Sequence, residues 1–496
     1  NIGKHFATAS AGVSMSDSRS VVYGFTAQGF GGNDASEPAY AEGYEEGGVP
    51  NNSEGHTRLA SFFASANYAF DSRYLFDFSY RLDGSSQFGS AENVAPFYSI
   101  GLGWNVHNEA FIRKLNFVNV LKLRATYGEL GSISFSPYQA KDIYAATKND
   151  RYDGNIGVVL QGLGNENLRW QTTKSYDFGL TLGLFDRFDF SLSFYKKETH
   201  DMVLPVTTPP SVGFDSFTEN LGRMRNTGYE LSLRAFAIKK KTFNVSVFLN
   251  ASHNKNKILS ISSALESYNK SIDNSEGKTE NEYKQASHKF LTKYEEGQST
   301  TAIYAVRSLG IDPMTGEELF LTKEGKPTWI WNALDKIVVG DTEPKIRGTF
   351  GVNVGWKGLY MNATFAYQYG GEAYNQTVVD KVENSNKYQN VDKRVLTETW
   401  QKPGDVVKYK ANVTSRLVQY FTYASSRFVQ DLNYLQFSSF SLQYEMPKNW
   451  ISCLRMESLR FSFNMSDLFY WSTVKRERGT SYPFARSFTV GLRANF

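Results

Sequence analysis

What most constrains this chain is a strict two-residue alternation of apolar and polar side chains, repeated in segment after segment, with full charges in the polar half. Near the C-terminus Leu459, Phe461, Phe463 and Met465 alternate with Ser458, Arg460, Ser462 and Asn464. Phe188, Phe190, Leu192 and Phe194 alternate with Asp189, Ser191, Ser193 and Tyr195, and Leu121, Leu123, Ala125 and Tyr127 with Lys122, Arg124 and Thr126. Tyr176, Phe178, Leu180, Leu182 and Leu184 alternate with Asp177, Gly179, Thr181 and Gly183, and Tyr229, Leu231, Leu233 and Ala235 with Glu230, Ser232 and Arg234. Successive side chains of an extended strand point to opposite faces, so period two means strand. A soluble β-sandwich alternates too. Charged residues in mid-strand opposite Phe and Leu suit instead a barrel with a wet interior and a lipid-facing exterior. A propeller is disfavoured, because no repeat of about 40–50 residues is present.

Composition agrees. The 496 residues hold 37 Phe and 30 Tyr, yet mean hydropathy is −0.42, as expected when only every second residue faces lipid. No stretch approaches the roughly 18–20 apolar residues of a spanning helix. With 54 basic against 50 acidic residues, no basic stripe and no Cys/His zinc spacing, nucleic acid is not a partner. The single cysteine, Cys453, excludes an internal disulfide framework. Asn1-Ile2-Gly3-Lys4-His5 lacks the charged start and apolar core of a secretory signal, which a mature or truncated chain explains.

Fourteen strands are expected, near 3–15, 58–70, 73–83, 96–106, 119–130, 168–185, 187–204, 219–237, 242–256, 346–356, 359–370, 428–446, 457–466 and 484–496. Their connections alternate. Asp71-Ser72, Asp186, residues 238–241 and Lys357-Gly358 are tight turns, whereas 16–57, 131–167, 257–345 and 371–427 are long. Outer-membrane barrels show this asymmetry, with short periplasmic turns and long extracellular loops. Residues 107–118 and 447–456 are longer than the other short-side turns. Phe70, Tyr74, Trp104, Phe185, Phe188 and Trp356 cluster at the tight turns, as in an aromatic girdle. The chain ends on an alternating strand closed by Phe496, like the terminal assembly signal of such barrels.

Several segments resemble the SusC/RagA type of TonB-linked outer-membrane transporters. The most specific is Arg81-Leu82-Asp83-Gly84-Ser85-Ser86-Gln87-Phe88-Gly89. It is followed in family order by Gly103-Trp104, the Leu121 to Gly128 stretch, Asn165-Glu166-Asn167-Leu168-Arg169-Trp170 and the Asn220 to Glu230 stretch. Gly310-Ile311-Asp312-Pro313 with Gly316, and Trp400-Gln401-Lys402-Pro403-Gly404-Asp405, complete the series. One departure is the loop Ser472 to Tyr482, which lacks the expected Gly-x-Asp-Pro. The resemblance implies an all-β fold: a transmembrane antiparallel β-barrel of about 22 strands, the plugged size class. Residues 1–496 would be its C-terminal part, with plug, TonB box and early strands absent from this chain. It also implies an integral outer-membrane location, a SusD-type lipoprotein partner, the TonB complex acting through the absent part, and an oligosaccharide or peptide substrate. A siderophore- or vitamin-type receptor and a complete fourteen-stranded passive channel are the alternatives.

Each motif has a structural reading beside its functional one. RLDGSSQFG reads as a strand-ending turn before it reads as a ligand site. Trp329 and Trp331, in the longest loop, are the candidate ligand contacts, because aromatic faces stack on sugar C–H groups; they can equally pack the loop. Lumen-side Arg124, Arg234, Arg347, Asp77, Asp177 and Glu230 suggest a lined route, or mutual pairing. Lys239-Lys240-Lys241 reads as a solvated turn, and Asp312 as a turn residue without calcium-loop spacing. His5, His56, His107, His200, His253 and His288 fall in no catalytic or metal pattern, so no enzyme, metal or cofactor is expected.

Overall fold

The computed structural model describes residues 3–30, 37, 40–45, 51–89, 93–153, 155–207, 216–220, 222–261, 266, 267, 269, 270, 293–385, 391–411, 422–452, 455–475 and 486–496. Fourteen strands form one antiparallel sheet, each paired with the next in chain order. They are β1 His5–Gly24, β2 Asn51–Phe70, β3 Tyr74–Ser85, β4 Val94–Asn105, β5 Val118–Ser132, β6 Gln171–Leu184 and β7 Phe188–His200. The series continues with β8 Arg223–Lys239, β9 Phe243–Ser260, β10 Ile346–Trp356, β11 Leu359–Tyr374, β12 Val429–Glu445, β13 Ser458–Ser472 and β14 Ser487–Asn495. All fourteen expected strands are present.

Register turns the alternation of each strand into bands across the sheet. Leu121, Leu182, Phe190, Leu233, Leu249, Phe350, Phe365, Phe437 and Phe469 are successive cross-strand partners from β5 to β13. One residue along, Lys122, Thr181, Ser191, Ser232, Asn250 and Thr349 form the matching polar band on the opposite face. Phe350, Phe365 and Phe437 stack along the apolar band at 5.1 and 4.5 Å. A one-residue slip would exchange the two bands on that strand, so the pattern holds the register. The apolar band is the lipid face and the polar band the lumen face.

The tight turns lie at one end of the sheet. Asp71-Ser72, Phe185-Asp186 and Lys357-Gly358 all have positive φ at both positions. That is the geometry of the primed turns whose twist matches the strands they join. Residues 106–117 and 446–457, the longer connections at this end, each fold a short helix, Ala110–Arg113 and Lys448–Ile451. β1 and β14 are the two edges of the sheet, and no pairing among the described residues joins them. Open edges expose unpaired backbone groups, which hydrocarbon does not tolerate.

At the other end, strands outrun the expected boundaries. β1 and β2 pair continuously from His5↔Phe70 to Gly24↔Asn51, well past the expected 3–15 and 58–70. The long connections are themselves folded. Ile143–Tyr152 pairs with Asn155–Gly162, and Val203–Thr207 with Ser216–Asn220. Ala302–Ile311, Glu318–Leu321, Pro327–Thr328 and Lys336–Asp341 make a four-stranded sheet. Both buried hydrophobic clusters belong largely to this end. In the wall itself, side chains point to lipid or lumen rather than into a shared core.

Candidate functional site: the folded loops at the long-connection end

Three motif segments distant in sequence meet at one joint. Phe88, buried to 4%, packs its ring 4.7 Å from Trp170 and 5.2 Å from Phe135, while Trp170 lies 5.4 Å from Phe97. At Gly89 a Cβ would stand 2.2 Å from the carbonyl oxygen of Glu166, so only glycine fits. Gln87 Nε2 donates to the Phe135 carbonyl at 3.0 Å. Asn220 Oδ1 accepts from the Arg169 amide at 2.8 Å, and its Nδ2 donates to the carbonyls of Arg169 and Asp201. Arg81 donates to Asp83 at 2.5 Å and to Ser61 Oγ at 2.8 Å. The polar side chains of RLDGSSQFG that offered a ligand site are therefore largely used in holding the joint.

A second joint unites the Gly-Ile-Asp-Pro and Trp-Gln-Lys-Pro-Gly-Asp segments. Asp312 accepts from the Met314 amide and the Thr315 hydroxyl, both at 3.0 Å, which makes it the turn residue its context suggests. Trp400 covers Gly316, where a Cβ would lie 2.5 Å from the indole, and its Nε1 donates to the Pro313 carbonyl at 2.9 Å. Asp405 accepts from the amides of Gln401 and Lys402.

Between the long β9–β10 and β11–β12 connections lies a buried charge cluster. Arg427 donates to both oxygens of Glu383, at 2.5 and 2.7 Å, and to Glu318 at 2.9 Å. Lys410 Nζ stands 4.0 Å from Glu383, and the Thr422 hydroxyl donates to Glu383 at 3.0 Å. The guanidinium also covers the Phe428 ring at 4.4 Å. Burial alone would lower the Arg427 pKa, but the hydrogen bonds and charges of Glu383 and Glu318 outweigh it and raise the value. At Lys410 burial wins, holding its ammonium below the usual lysine range despite both carboxylates. Glu318 belongs to the small sheet and Glu383 to the helical segment Val379–Glu383, so one guanidinium ties the two connections together. Beneath it pack Ile303, Val378, Val379, Val382, Tyr409 and Phe428. The sequence offers no signal for this cluster, because its members share no local motif or period.

The candidate tryptophans take different places. Trp331 stacks on Tyr423 at 4.8 Å and donates from Nε1 to the Ala424 carbonyl at 3.1 Å, so its ring packs loop against loop. Trp329 is 49% exposed beside exposed Ile330. On the lumen face Arg124 pairs with Asp177 at 3.0 Å, and the Ser193 hydroxyl donates to the same carboxylate. Arg234, Arg347, Asp77 and Glu230 form no ion pair with a described residue. His5, His56, His107 and His253 hydrogen-bond to four separate partners on the wall, Tyr68, Asp17 and the carbonyls of Leu121 and Lys345. His288 lies outside the described residues, as does most of the Ser472 to Tyr482 loop.

The β-barrel model of the TonB-dependent receptor-like family matches residues 4–312. TonB-dependent receptor P3 of Formosa agariphila is 28% identical over 499 positions, covering 91% of this chain and 47% of that protein. TonB-dependent receptor SusC of Bacteroides thetaiotaomicron is 31% identical over 207 positions, 40% of this chain and 21% of that protein. The chain spans about half the length of the first curated relatives it matches. Among solved structures, that of the RagAB peptide transporter superposes with TM-score 0.77 at 23% identity, over 95% of this chain and 50% of the other.

Proposed function

Because the chain belongs to the TonB-dependent receptor β-barrel family, an integral outer-membrane class, we propose that it forms most of the wall and outer loops of an energised importer of large nutrients. The observation that carries this reading is the continuous polar band facing the lumen, roofed by connections that fold into cored, cross-tied units. A passive fourteen-stranded channel would pair its first and last strands, whereas no pairing among the described residues joins β1 and β14. The substrate is a peptide or an oligosaccharide, captured with a SusD-type surface lipoprotein. Likeness to the RagAB peptide transporter and to SusC supports that class. TonB acts through the plug-bearing part of the full-length protein. Exposed Trp329 is a candidate contact for a sugar ring or an apolar peptide side chain.

The test is uptake of labelled oligosaccharides and peptides by cells lacking the gene, complemented with full-length protein. Import of one class should return with the gene and vanish when TonB or the partner lipoprotein is deleted. Uptake indifferent to TonB would overturn the proposal. Trp329→Ala should raise the half-saturating concentration while leaving the barrel inserted.

A further inference from the structure

The short-turn end carries a basic rim that the import reading does not use. In sheet order, the connection before β5 brings Arg113 and Lys114, the β6–β7 turn brings Arg187, and the β8–β9 turn brings Lys239, Lys240 and Lys241, all exposed. These connections touch. The Phe185 amide donates to the Phe117 carbonyl at 2.8 Å, the Phe236 amide to the Arg187 carbonyl at 2.8 Å, and Lys239 Nζ to the Asp186 carbonyl at 2.9 Å. Exposed Lys357 and Lys448 extend the rim along the next two connections. Of the acids here, Asp71 and Glu109 are already bonded by Arg73 and Glu445 by Arg460, which leaves Asp186, Asp189 and Glu457. Among the described residues no ion pair takes up Arg113, Lys114, Arg187 or the lysine run. The chain as a whole is nearly balanced, so the excess is a segregation to this end.

Aromatics sit among these charges, on the outer side. Tyr74 and Trp104, partners on the lipid face, both donate to Glu109, at 3.0 and 3.1 Å. Glu109 thereby holds the 106–117 connection against the outside of the barrel rather than letting it hang into the lumen. Phe111, 59% exposed, follows on that connection, and Phe117 stacks on exposed Phe185 at 5.5 Å. Trp450, 63% exposed, lies two residues from Lys448 on the 446–457 connection. Lysine and arginine interleaved with aromatic rings, continuous with a lipid-facing band, are the composition of a membrane–water interface. Anionic headgroups complement the charge. We infer that this rim is a binding belt for anionic phospholipids in the leaflet facing the short turns, its cations on phosphodiester groups and its aromatics at the acyl boundary.

The experiment reconstitutes full-length protein with spin-labelled phosphatidylglycerol or phosphatidylcholine and measures the motionally restricted fraction of each. Preference for the anionic lipid should be about threefold at low salt and should decline with added salt. Replacing Arg113, Lys114, Lys240 and Lys241 together by glutamine should bring the ratio close to unity. Replacing Lys323, Lys326, Lys393 and Lys402, at the opposite end, should leave it unchanged. Single Lys240→Gln and Lys241→Gln changes, confined to an exposed turn, keep the comparison available if the fourfold variant does not insert. Equal restriction of both lipids by the wild type, or a preference untouched by the rim variants, would overturn the inference. So would loss of the preference to inorganic phosphate beyond that caused by chloride at matched ionic strength.

Discussion

Arg427→Met removes the cation that joins two long connections, and the cost follows from what remains. Glu318 and Glu383 have side chains only 5% and 0% exposed, so neither carboxylate regains water in place. Lys410, 4.0 Å from Glu383, is then the nearest cation identified to either. Breaking a buried pair by removing one partner costs about 3–5 kcal/mol, because an uncompensated buried charge is left behind. If that cost falls on the local opening of this unit, the open population rises about a hundredfold or more. Hydrogen exchange read by mass spectrometry on the full-length protein checks this. Amides of 303–306 and 378–383 should lose protection, while those of 188–194 in the wall keep theirs. Glu383→Gln in the same background should recover part of the loss by removing one stranded charge. Unchanged exchange in the loop unit, or equal loosening of the wall, would refute the latch.

Facing predictions test the wall and its sidedness. Phe190→Lys places a cation in the lipid-facing band and should cost about 2–4 kcal/mol in bilayer refolding, whereas Ser191→Lys on the lumen face should be far milder. A protease site inserted at the exposed Lys323–Gly325 turn should be cut in intact cells, and one at Lys240–Lys241 only after the outer membrane is permeabilised. The hydrogen bonds from Trp104, then Tyr74 and Arg73, hold the Glu109 carboxyl below its ordinary value of 4.5. A depressed carboxylate stabilises the folded state above the unfolded value and ceases to as pH falls through the folded one. Exchange protection of 106–113 should therefore hold at neutral pH and decline below about pH 4.5, more steeply than in Glu109→Gln.

The strands were legible because each wall residue faces either lipid or water, and the sequence alternates accordingly. Where that contrast lapses, so does the signal. Residues 16–24 of β1 and 51–57 of β2 are strand, yet Ser16, Asp17, Ser18, Arg19 and Ser20 are polar on both faces, as suits a ladder that has left the bilayer. β13 runs on to Ser472 rather than ending near 466, because a bulge opposite Phe437 and Ser439, with Asp467 at φ 53, breaks the parity. The motif segments were legible as segments but not as partners. Nothing along the chain pairs Phe88 with Trp170 or Gly316 with Trp400, since packing between loops leaves no period. The Arg427 cluster was invisible for the same reason, and of the two tryptophans only the structure separates packed Trp331 from exposed Trp329.

We propose that these fourteen strands form an open wall that further strands seal. Among the described residues β1 and β14 each have a barrel partner on one side only, and an unpaired strand edge in hydrocarbon costs several kcal/mol per backbone group. The direct measurement expresses residues 1–496 alone and beside the full-length protein, and compares heat-modifiable migration and solute permeation in bilayers. The full-length protein should insert as a heat-modifiable barrel. The isolated chain should insert only when the remaining fragment is supplied in trans. Insertion of the isolated chain as a stable channel for small solutes would contradict it, because β1 and β14 would then have to pair directly.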